Sequence, residues 1–166
     1  MTMNISFKTV IWQQLGAAID MLENAISMCP ETVWDDESQF WYIAYHCIFY
    51  LDYYSTEEPQ YFSPPEPYTL SEFDPEGAMP ERVYSKQELL DYLHYGRQKG
   101  RQLISGLTDE IAAKRFVNEY RDYSILEVIL YNMRHIQHHT AQLNLLLRQK
   151  IDDAPKWVSV AKDALL

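Results

Sequence analysis

Three of the five histidines in this chain lie within one five-residue segment, from His135 to His139. His135 and His139 are four residues apart, so on an α-helix their side chains stand about 40° from one another on the same face. With this spacing one helix offers two imidazole nitrogens to a single metal ion. The segment therefore predicts two ligands of a metal site whose third ligand comes from another part of the chain.

His46 is the candidate for that third ligand, because it lies in the middle of an otherwise apolar run. A buried polar side chain without a partner costs roughly 1–3 kcal/mol, so a histidine in this place needs one. A hydrogen bond within the core would satisfy a lone histidine equally well. The combination of His46 with the pair four residues apart favours a shared metal site, with His46, His135 and His139 as its ligands.

The two other histidines are interpreted as non-ligands. His138 is three residues from His135 and turned about 60° away from it on a helix, which makes it a flanking residue or a hydrogen-bond partner. His94 lies among polar residues and is expected to face solvent.

A ligand histidine normally donates its second ring N–H to an acceptor that fixes the ring. Gln142, three residues after His139, is one candidate for this role. Asp52, six residues after His46, falls on a different face of its helix and is a weaker candidate.

A site of three histidines leaves at least one coordination position open, as catalytic zinc sites do. A metal held there can act as a Lewis acid, or lower the pKa of a bound water or thiol. Imidazole nitrogens suit zinc, nickel, copper and iron, and the sequence does not select among them. It also indicates neither the substrate nor a general base.

The apolar patterns that must position these residues predict four long helices, at residues 7–28, 39–54, 85–105 and 124–150. The first has Asp20 on its polar side, and the second is apolar nearly all round. Ser85 and Glu88 begin the third helix as a capping box, and Ser124 and Glu127 begin the fourth in the same way.

Between and after these helices the pattern predicts a short helical turn at 108–113, an irregular or briefly extended stretch at 115–123, and a tail at 156–166 that docks as an amphipathic turn. No stretch is a convincing strand. The sequence therefore predicts one all-α domain, residues 1–166, built as a four-helix bundle.

The connection between the second and third helices, residues 56–84, contains six of the eight prolines, which excludes a regular helix. A helix of about 18 residues is roughly 27 Å long, and an extended chain covers that distance in about nine residues. The connection can therefore run the length of a bundle and make the second and third helices parallel. Its aromatic residues, Tyr61, Phe62, Tyr68 and Phe73, predict that it packs against the bundle rather than forming a floppy insertion.

The chain is acidic, with a net charge of −10 over 166 residues. Because an acidic surface repels phosphate backbones, nucleic-acid binding is not expected. The modest basic cluster formed by Arg97, Lys99 and Arg101 is interpreted as a solvated helix face. Cys29 and Cys47 form no CxxC pair and predict buried free thiols in a reducing compartment.

Residues 1–6 lack the basic-then-apolar pattern of a signal peptide, and no uninterrupted apolar run reaches the length of about 18 residues that a membrane span needs. A soluble cytoplasmic protein without membrane contact is the resulting expectation.

The helix-two histidine, His46, and the His-x-x-His-His-x-x-Gln run at residues 135–142 resemble the pattern of the DinB/YfiT-like metalloenzymes. The resemblance extends to the four helices and the long connection. It implies that His46, His135 and His139 are the metal ligands, that nickel or zinc is the metal, and that the fold is a four-helix bundle with up-down-down-up order. It also implies a homodimer.

The resemblance has departures. Many members carry an acidic residue and Arg-Gly where this chain has Ile136 and Thr140-Ala141, so an activity that depends on those neighbours is not implied. Some relatives are S-transferases or isomerases that use low-molecular-weight thiols.

The function expected from these patterns is that of a metal-dependent hydrolase or a thiol-dependent transferase acting on a small molecule. The alternative is a non-catalytic metal-binding or structural dimer, or a stress-response interaction module. Access distinguishes them, because an open coordination position that faces a pocket favours the enzyme.

Overall fold

The fold is mostly helical in a computed structural model that describes residues 5–166, with side chains from residue 7 onward. In chain order its elements are α1 (Ile5–Met28), α2 (Glu31–Trp34), α3 (Phe40–Tyr54), α4 (Lys86–Gly106), α5 (Asp109–Ala113), β1 (Arg115–Val117), β2 (Asp122–Ser124) and α6 (Ile125–Ile151). Among them no helix has the length and apolar character needed to cross a membrane. Residues 1–4, part of the segment expected to lack a signal peptide, lie outside the described residues.

The two predicted capping boxes are present and set where α4 and α6 begin. The Ser85 hydroxyl accepts a hydrogen bond from the Glu88 amide at 3.3 Å, and the Glu88 carboxylate accepts one from the Ser85 amide at 2.8 Å. Ser124 and Glu127 repeat the arrangement at 3.2 and 2.7 Å. Each box satisfies two backbone N–H groups that the first helical turn leaves unpaired.

Each of the four long helices packs against two others: α1 and α3 both contact α4 and α6. As its apolar sequence predicts, α3 is buried on most sides. Small residues allow α4 to approach it closely, because a Cβ atom at Gly96 would lie 3.1 Å from the Leu51 side chain and one at Gly100 would lie 3.3 Å from the Ser55 hydroxyl.

The long connection after α3 contains two short 3-10 turns, Pro59–Tyr61 and Ser71–Phe73. It packs against the helices as its aromatic content predicts. The Phe73 ring lies 4.9 Å from the Tyr53 ring, and Tyr68 stacks on Tyr92 at 4.0 Å. Tyr61 does not pack in this way, since 77% of it is exposed, and Phe73 keeps 42% of its surface exposed.

The interpretation of Arg97 as part of a solvated face is wrong, and so is the placement of Asp20 on the polar side of the first helix. Both residues are buried where α4 crosses α1, and Arg97 donates to the Asp20 carboxylate at 2.7 Å. Arg97 also pairs with Asp163 of the C-terminal tail. Helix periodicity could not predict this pair. A buried charge is tolerated only beside its partner, and here the partner lies 77 residues away in the chain.

The other two residues of the basic cluster are also engaged. Lys99 donates to the fully buried carboxylate of Asp52 at 2.5 Å, and the Tyr92 hydroxyl donates to the same carboxylate at 3.0 Å. Arg101 donates to the backbone carbonyl of Leu165 at 2.9 Å. The cluster therefore joins α4 to its neighbours rather than forming a free basic surface.

The C-terminal tail docks on α1 without forming a helical turn, so that part of the prediction is wrong. The Trp12 indole donates a hydrogen bond to the Asp163 backbone carbonyl at 3.1 Å, and the Ala161 amide donates one to the Gln13 carbonyl at 3.0 Å. Trp157, which a docked amphipathic turn would bury, is 72% exposed.

Residues 115–123, predicted as irregular or briefly extended, include most of a small antiparallel hairpin that the helical patterns did not indicate. Phe116 of β1 pairs with Tyr123 of β2. The Phe116 side chain is fully buried and fixes the hairpin against the end of α3, with its ring 5.3 Å from that of Tyr53.

Candidate metal centre

The three predicted ligands come together where α3 packs against α6. One ligand atom from each of His46, His135 and His139 lies within 4.8 Å of the other two, so the group could hold a metal ion. The His46 ring centroid lies 5.3 Å from that of His135 and 4.6 Å from that of His139. Adjacent turns of α6 therefore supply His135 and His139, as their spacing of four residues requires, and α3 supplies His46.

The tautomers of two of these histidines are fixed by acceptors. His46 donates from Nδ1 to the Glu72 carboxylate at 2.6 Å, and His139 donates from Nδ1 to the Gln142 side-chain oxygen at 2.7 Å. Because a carboxylate and an amide oxygen only accept, each Nδ1 carries the proton and each Nε2 presents a lone pair. This is the arrangement by which outer groups orient metal-binding imidazoles.

His135 completes the cluster with an unsatisfied polar atom. Its Nε2 lies 3.1 Å from Nε2 of His139 and donates to that lone pair when no ion is bound. Its buried Nδ1 then has no hydrogen-bond partner within residues 5–166. Three imidazoles that each offer one ligand atom within 4.8 Å of the other two fit a borderline-soft divalent metal in place of the shared proton.

Burial keeps the paired histidines neutral. It lowers the pKa of His135 to about 3, with further lowering by His139 and His46. It also lowers the pKa of His139 to about 4, an effect that Gln142 partly opposes. Neutral imidazole is the form that binds a metal, so both rings are ready to bind at neutral pH.

The structure also places the residues that were given lesser roles. Gln142 accepts from His139 as predicted, whereas Asp52 lies on another face of α3 and pairs with Lys99. His138 is exposed and only flanks the cluster, with its ring 5.0 Å from that of His139. His94 is exposed and accepts from the side-chain amide of its neighbour Gln98.

Glu72 is the residue of the cluster that the sequence did not reveal. Its side chain is 3% exposed, and it reaches His46 from the 3-10 turn of the long connection. The Tyr50 hydroxyl donates to the Glu72 backbone carbonyl at 3.3 Å and helps to hold this turn. A connection without periodicity gives no helix face on which to place a residue. Its aromatic residues, Phe73 among them, predicted that the connection packs against the bundle but did not single out Glu72.

The cluster is accessible from its surroundings. His46 has 29% of its side chain exposed. A cavity of about 400 Å³ is lined in part by Tyr50 and Glu72, and a second of about 310 Å³ by Tyr131 and His135. The site is thus not enclosed by protein on all sides.

Tyrosine rings border the cluster on the side of α3. The Tyr50 ring lies 4.8 Å from the His46 ring and 5.3 Å from the His135 ring. Burial, together with the charge of Glu72, raises the pKa of Tyr50 to about 12. Its hydroxyl therefore stays protonated at neutral pH.

No family model, no curated protein and no solved structure matches this chain. A metal centre is supported by the three converging imidazoles, the fixed tautomers and the low pKa values.

Proposed function

We propose that this chain is a DinB-like metalloprotein that holds a divalent transition metal, nickel or zinc, on His46, His135 and His139. It uses the metal for hydrolysis or for thiol-dependent group transfer on a small molecule. The observation that carries the proposal is the convergence of three histidine ligand atoms within 4.8 Å from two helices.

The proposed fold is a four-helix bundle with up-down-down-up order. Contacts at both ends of α1 and α4 support an antiparallel pair: Lys8 donates to the Ser105 carbonyl, and Lys86 donates to the Cys29 carbonyl.

Two further pairs of contacts complete the proposed order. The first half of α3 lies beside Tyr84, two residues before α4 begins, with the Tyr45 and Tyr84 rings 5.0 Å apart. The end of α3 lies beside Lys99 in the second half of α4, and the two contacts support a parallel pair. The end of α3 lies beside the start of α6, with the Tyr54 and Tyr131 rings 5.2 Å apart, which supports an antiparallel pair. A parallel pair formed by the second and third long helices requires the long crossover that residues 56–84 provide.

A metal bound in this site supplies Lewis acidity and lowers the pKa of a water or thiol beside it. The chain's own residues prepare the site for this role. Glu72 keeps the His46 proton on Nδ1, Gln142 does the same for His139, and two rigid helices carry the rings. Tyr50 and Tyr54 border the cluster on one side and limit the directions from which solvent reaches it.

Access supports a catalytic role over a purely structural one. Structural zinc sites are closed by four protein ligands, whereas catalytic sites keep a position open. Here three histidines converge, His46 is partly exposed, and a cavity of about 310 Å³ is lined in part by His135.

A homodimer is part of the proposal. Large apolar side chains are exposed along α1, α6 and the tail, including Val10, Leu145 and Trp157 at 56%, 55% and 72%. Light scattering after gel filtration should give the mass of two chains of 19.6 kDa each. A monomer at micromolar concentration contradicts this part of the proposal.

Metal titration of the EDTA-stripped protein tests the site. Calorimetry with zinc and with nickel should give about one ion per chain. Replacing any of His46, His135 or His139 with Ala should abolish binding, whereas His138→Ala, the matched exposed control, should leave it intact. Absence of binding in the native chain overturns the proposed function.

Turnover is measured on the same samples with a chromogenic ester and with a thiol-conjugation substrate. Activity that depends on added metal and is lost in His139→Ala supports the enzyme. Metal binding without turnover in either assay supports a non-catalytic metal-binding protein and rejects the proposed enzyme activity.

A further inference from the structure

A second site lies beside the three-histidine cluster, at the C-terminal end of α3. Two segments outside the long helices border the open cavity of about 400 Å³ there. Its floor is formed by tyrosines of α3, one wall by residues 72–75, and the other by the hairpin turn at residues 118–121. The size is typical of a pocket for a small molecule.

The hairpin wall is held in place by its own hydrogen bonds. The Asn118 amide donates to the Arg121 carbonyl at 2.9 Å, and the Tyr120 amide donates to the Asn118 side chain at 2.9 Å. Asn118 also donates to the Tyr53 hydroxyl of the floor at 3.1 Å. With Phe116 buried beneath it, the turn presents a fixed surface to the cavity.

Arg121 is the cation of this wall. It donates to the Tyr131 hydroxyl at 2.6 Å, and its guanidinium lies 4.7 Å from the Tyr131 ring and 5.8 Å from the Tyr54 ring. Within residues 5–166 no carboxylate lies close enough to pair with it. Since a guanidinium has five N–H donors, most of its capacity is unused.

Arg134 and Arg148 also have no carboxylate partner among the described residues, but both are exposed, whereas Arg121 is half-buried in a chain of net charge −10. Arg82, Arg97 and Arg115 each pair with a carboxylate of the same chain. The planar donor fork of arginine matches a carboxylate in a bidentate geometry, so Arg121 is suited to an external one.

The opposite wall is acidic, and the hairpin wall also carries the exposed carboxylate of Glu119 beside Arg121. Glu72 uses one carboxylate oxygen on His46, and its other oxygen is buried without a partner in the described part of the chain. Asp74 lines the same wall, and the tyrosine rings of the floor attract a cation through their faces. An anion alone would be repelled by these acids, and a cation alone would leave Arg121 unpaired.

We propose that this cavity binds a small zwitterion, an amino carboxylate whose carboxylate pairs with Arg121 and whose ammonium group lies against the tyrosine rings near Glu72 and Asp74. The Tyr54 ring lies 5.8 Å from the Arg121 guanidinium and 5.9 Å from the His135 ring, so one tyrosine separates this ligand from the three-histidine cluster. None of the three histidines lines this cavity, and the proposal goes beyond the metal-dependent function.

Three five-carbon probes test the contributions of the negative and the positive group of the ligand. 5-Aminopentanoate carries both charges, pentanoate carries only the carboxylate, and pentylamine carries only the ammonium group. Their affinities are measured by NMR titration near neutral pH, on EDTA-treated and on zinc-supplemented protein. The zwitterion should bind about tenfold tighter than either singly charged probe, because it alone pairs with both walls. Equal affinity for all three probes overturns the proposal.

Arg121→Gln should weaken 5-aminopentanoate and pentanoate about tenfold and leave pentylamine unchanged. Arg121→Lys should restore part of the loss, because the charge returns without the bidentate fork. Arg134→Gln, an exposed arginine outside this cavity, is the matched control and should bind as the native chain does. Unchanged zwitterion affinity in an Arg121→Gln protein with native circular dichroism overturns the proposal.

The two proposals fail separately. Arg121→Gln should bind zinc as the native chain does, since the arginine is not a ligand. A native chain that binds the zwitterion but no zinc rejects the metal centre and retains this site.

Discussion

Acidification should destabilise the metal-free protein through His135 and His139. Their pKa values lie at about 3 and about 4 in the folded chain, against an ordinary value of about 6.5, chiefly because burial disfavours the imidazolium form. Between pH 7 and 5 the unfolded chain therefore binds protons that the folded chain does not. The free energy of unfolding must fall as the pH falls through this window, and the loss ends near the folded pKa values.

The magnitude follows from the same values. A histidine that titrates near 6.5 when unfolded and stays neutral when folded lowers the free energy of unfolding by about 1.8 kcal/mol between pH 7 and 5. Both rings are only partly buried, so solvent screening reduces the combined loss to about 2–3 kcal/mol. Most carboxylates remain ionised above pH 5 and contribute little in this window.

Urea unfolding followed by circular dichroism, with EDTA present, measures the effect at pH 7, 6 and 5. A His135→Gln/His139→Gln double variant should lose about 2–3 kcal/mol less than the native chain over this range. His94→Gln, which changes an exposed histidine, should follow the native chain. A double variant that loses as much stability as the native chain would refute the assignment of the effect to these two rings.

Three further changes have expected outcomes. Glu72→Gln should weaken zinc binding about tenfold in calorimetry by loosening the orientation of His46, and unchanged affinity would show that Glu72 does not support the site. Arg97→Met should lower the free energy of unfolding in urea by about 3–5 kcal/mol because it leaves Asp20 buried and unpaired, and a loss below about 1 kcal/mol contradicts that account. Ser124→Ala should cost about 1 kcal/mol in the same assay by removing the α6 cap, with no effect expected if solvent satisfies the freed amide.

The parts of the fold that local rules govern could be predicted. The capping boxes are defined by residues three apart, and they placed the starts of α4 and α6 correctly. The spacing of four residues predicted that His135 and His139 share one helix face. The position of His46 within an otherwise apolar helix predicted the third ligand.

The parts of the fold that depend on contacts between distant residues could not be predicted from the sequence. Arg97 looked like a surface residue because its partner Asp20 belongs to another helix, and Glu72 belongs to a connection with no repeating pattern. Residues 115–123 were predicted as irregular or briefly extended, but the pairing of two strands was not predicted, because three-residue strands are too short for an alternating signal. The position of Arg121 in the wall of a cavity could therefore not be predicted from the sequence.

The most direct test of the metal centre is a crystal structure of the protein as purified, with diffraction data collected at the zinc and nickel absorption edges. A single anomalous peak per chain, surrounded by the imidazole nitrogens of His46, His135 and His139, is the predicted result, and the peak should be absent in His139→Ala but present in His138→Ala. No peak after soaking in either metal, with Nε2 of His135 and His139 still 3.1 Å apart, would contradict the account.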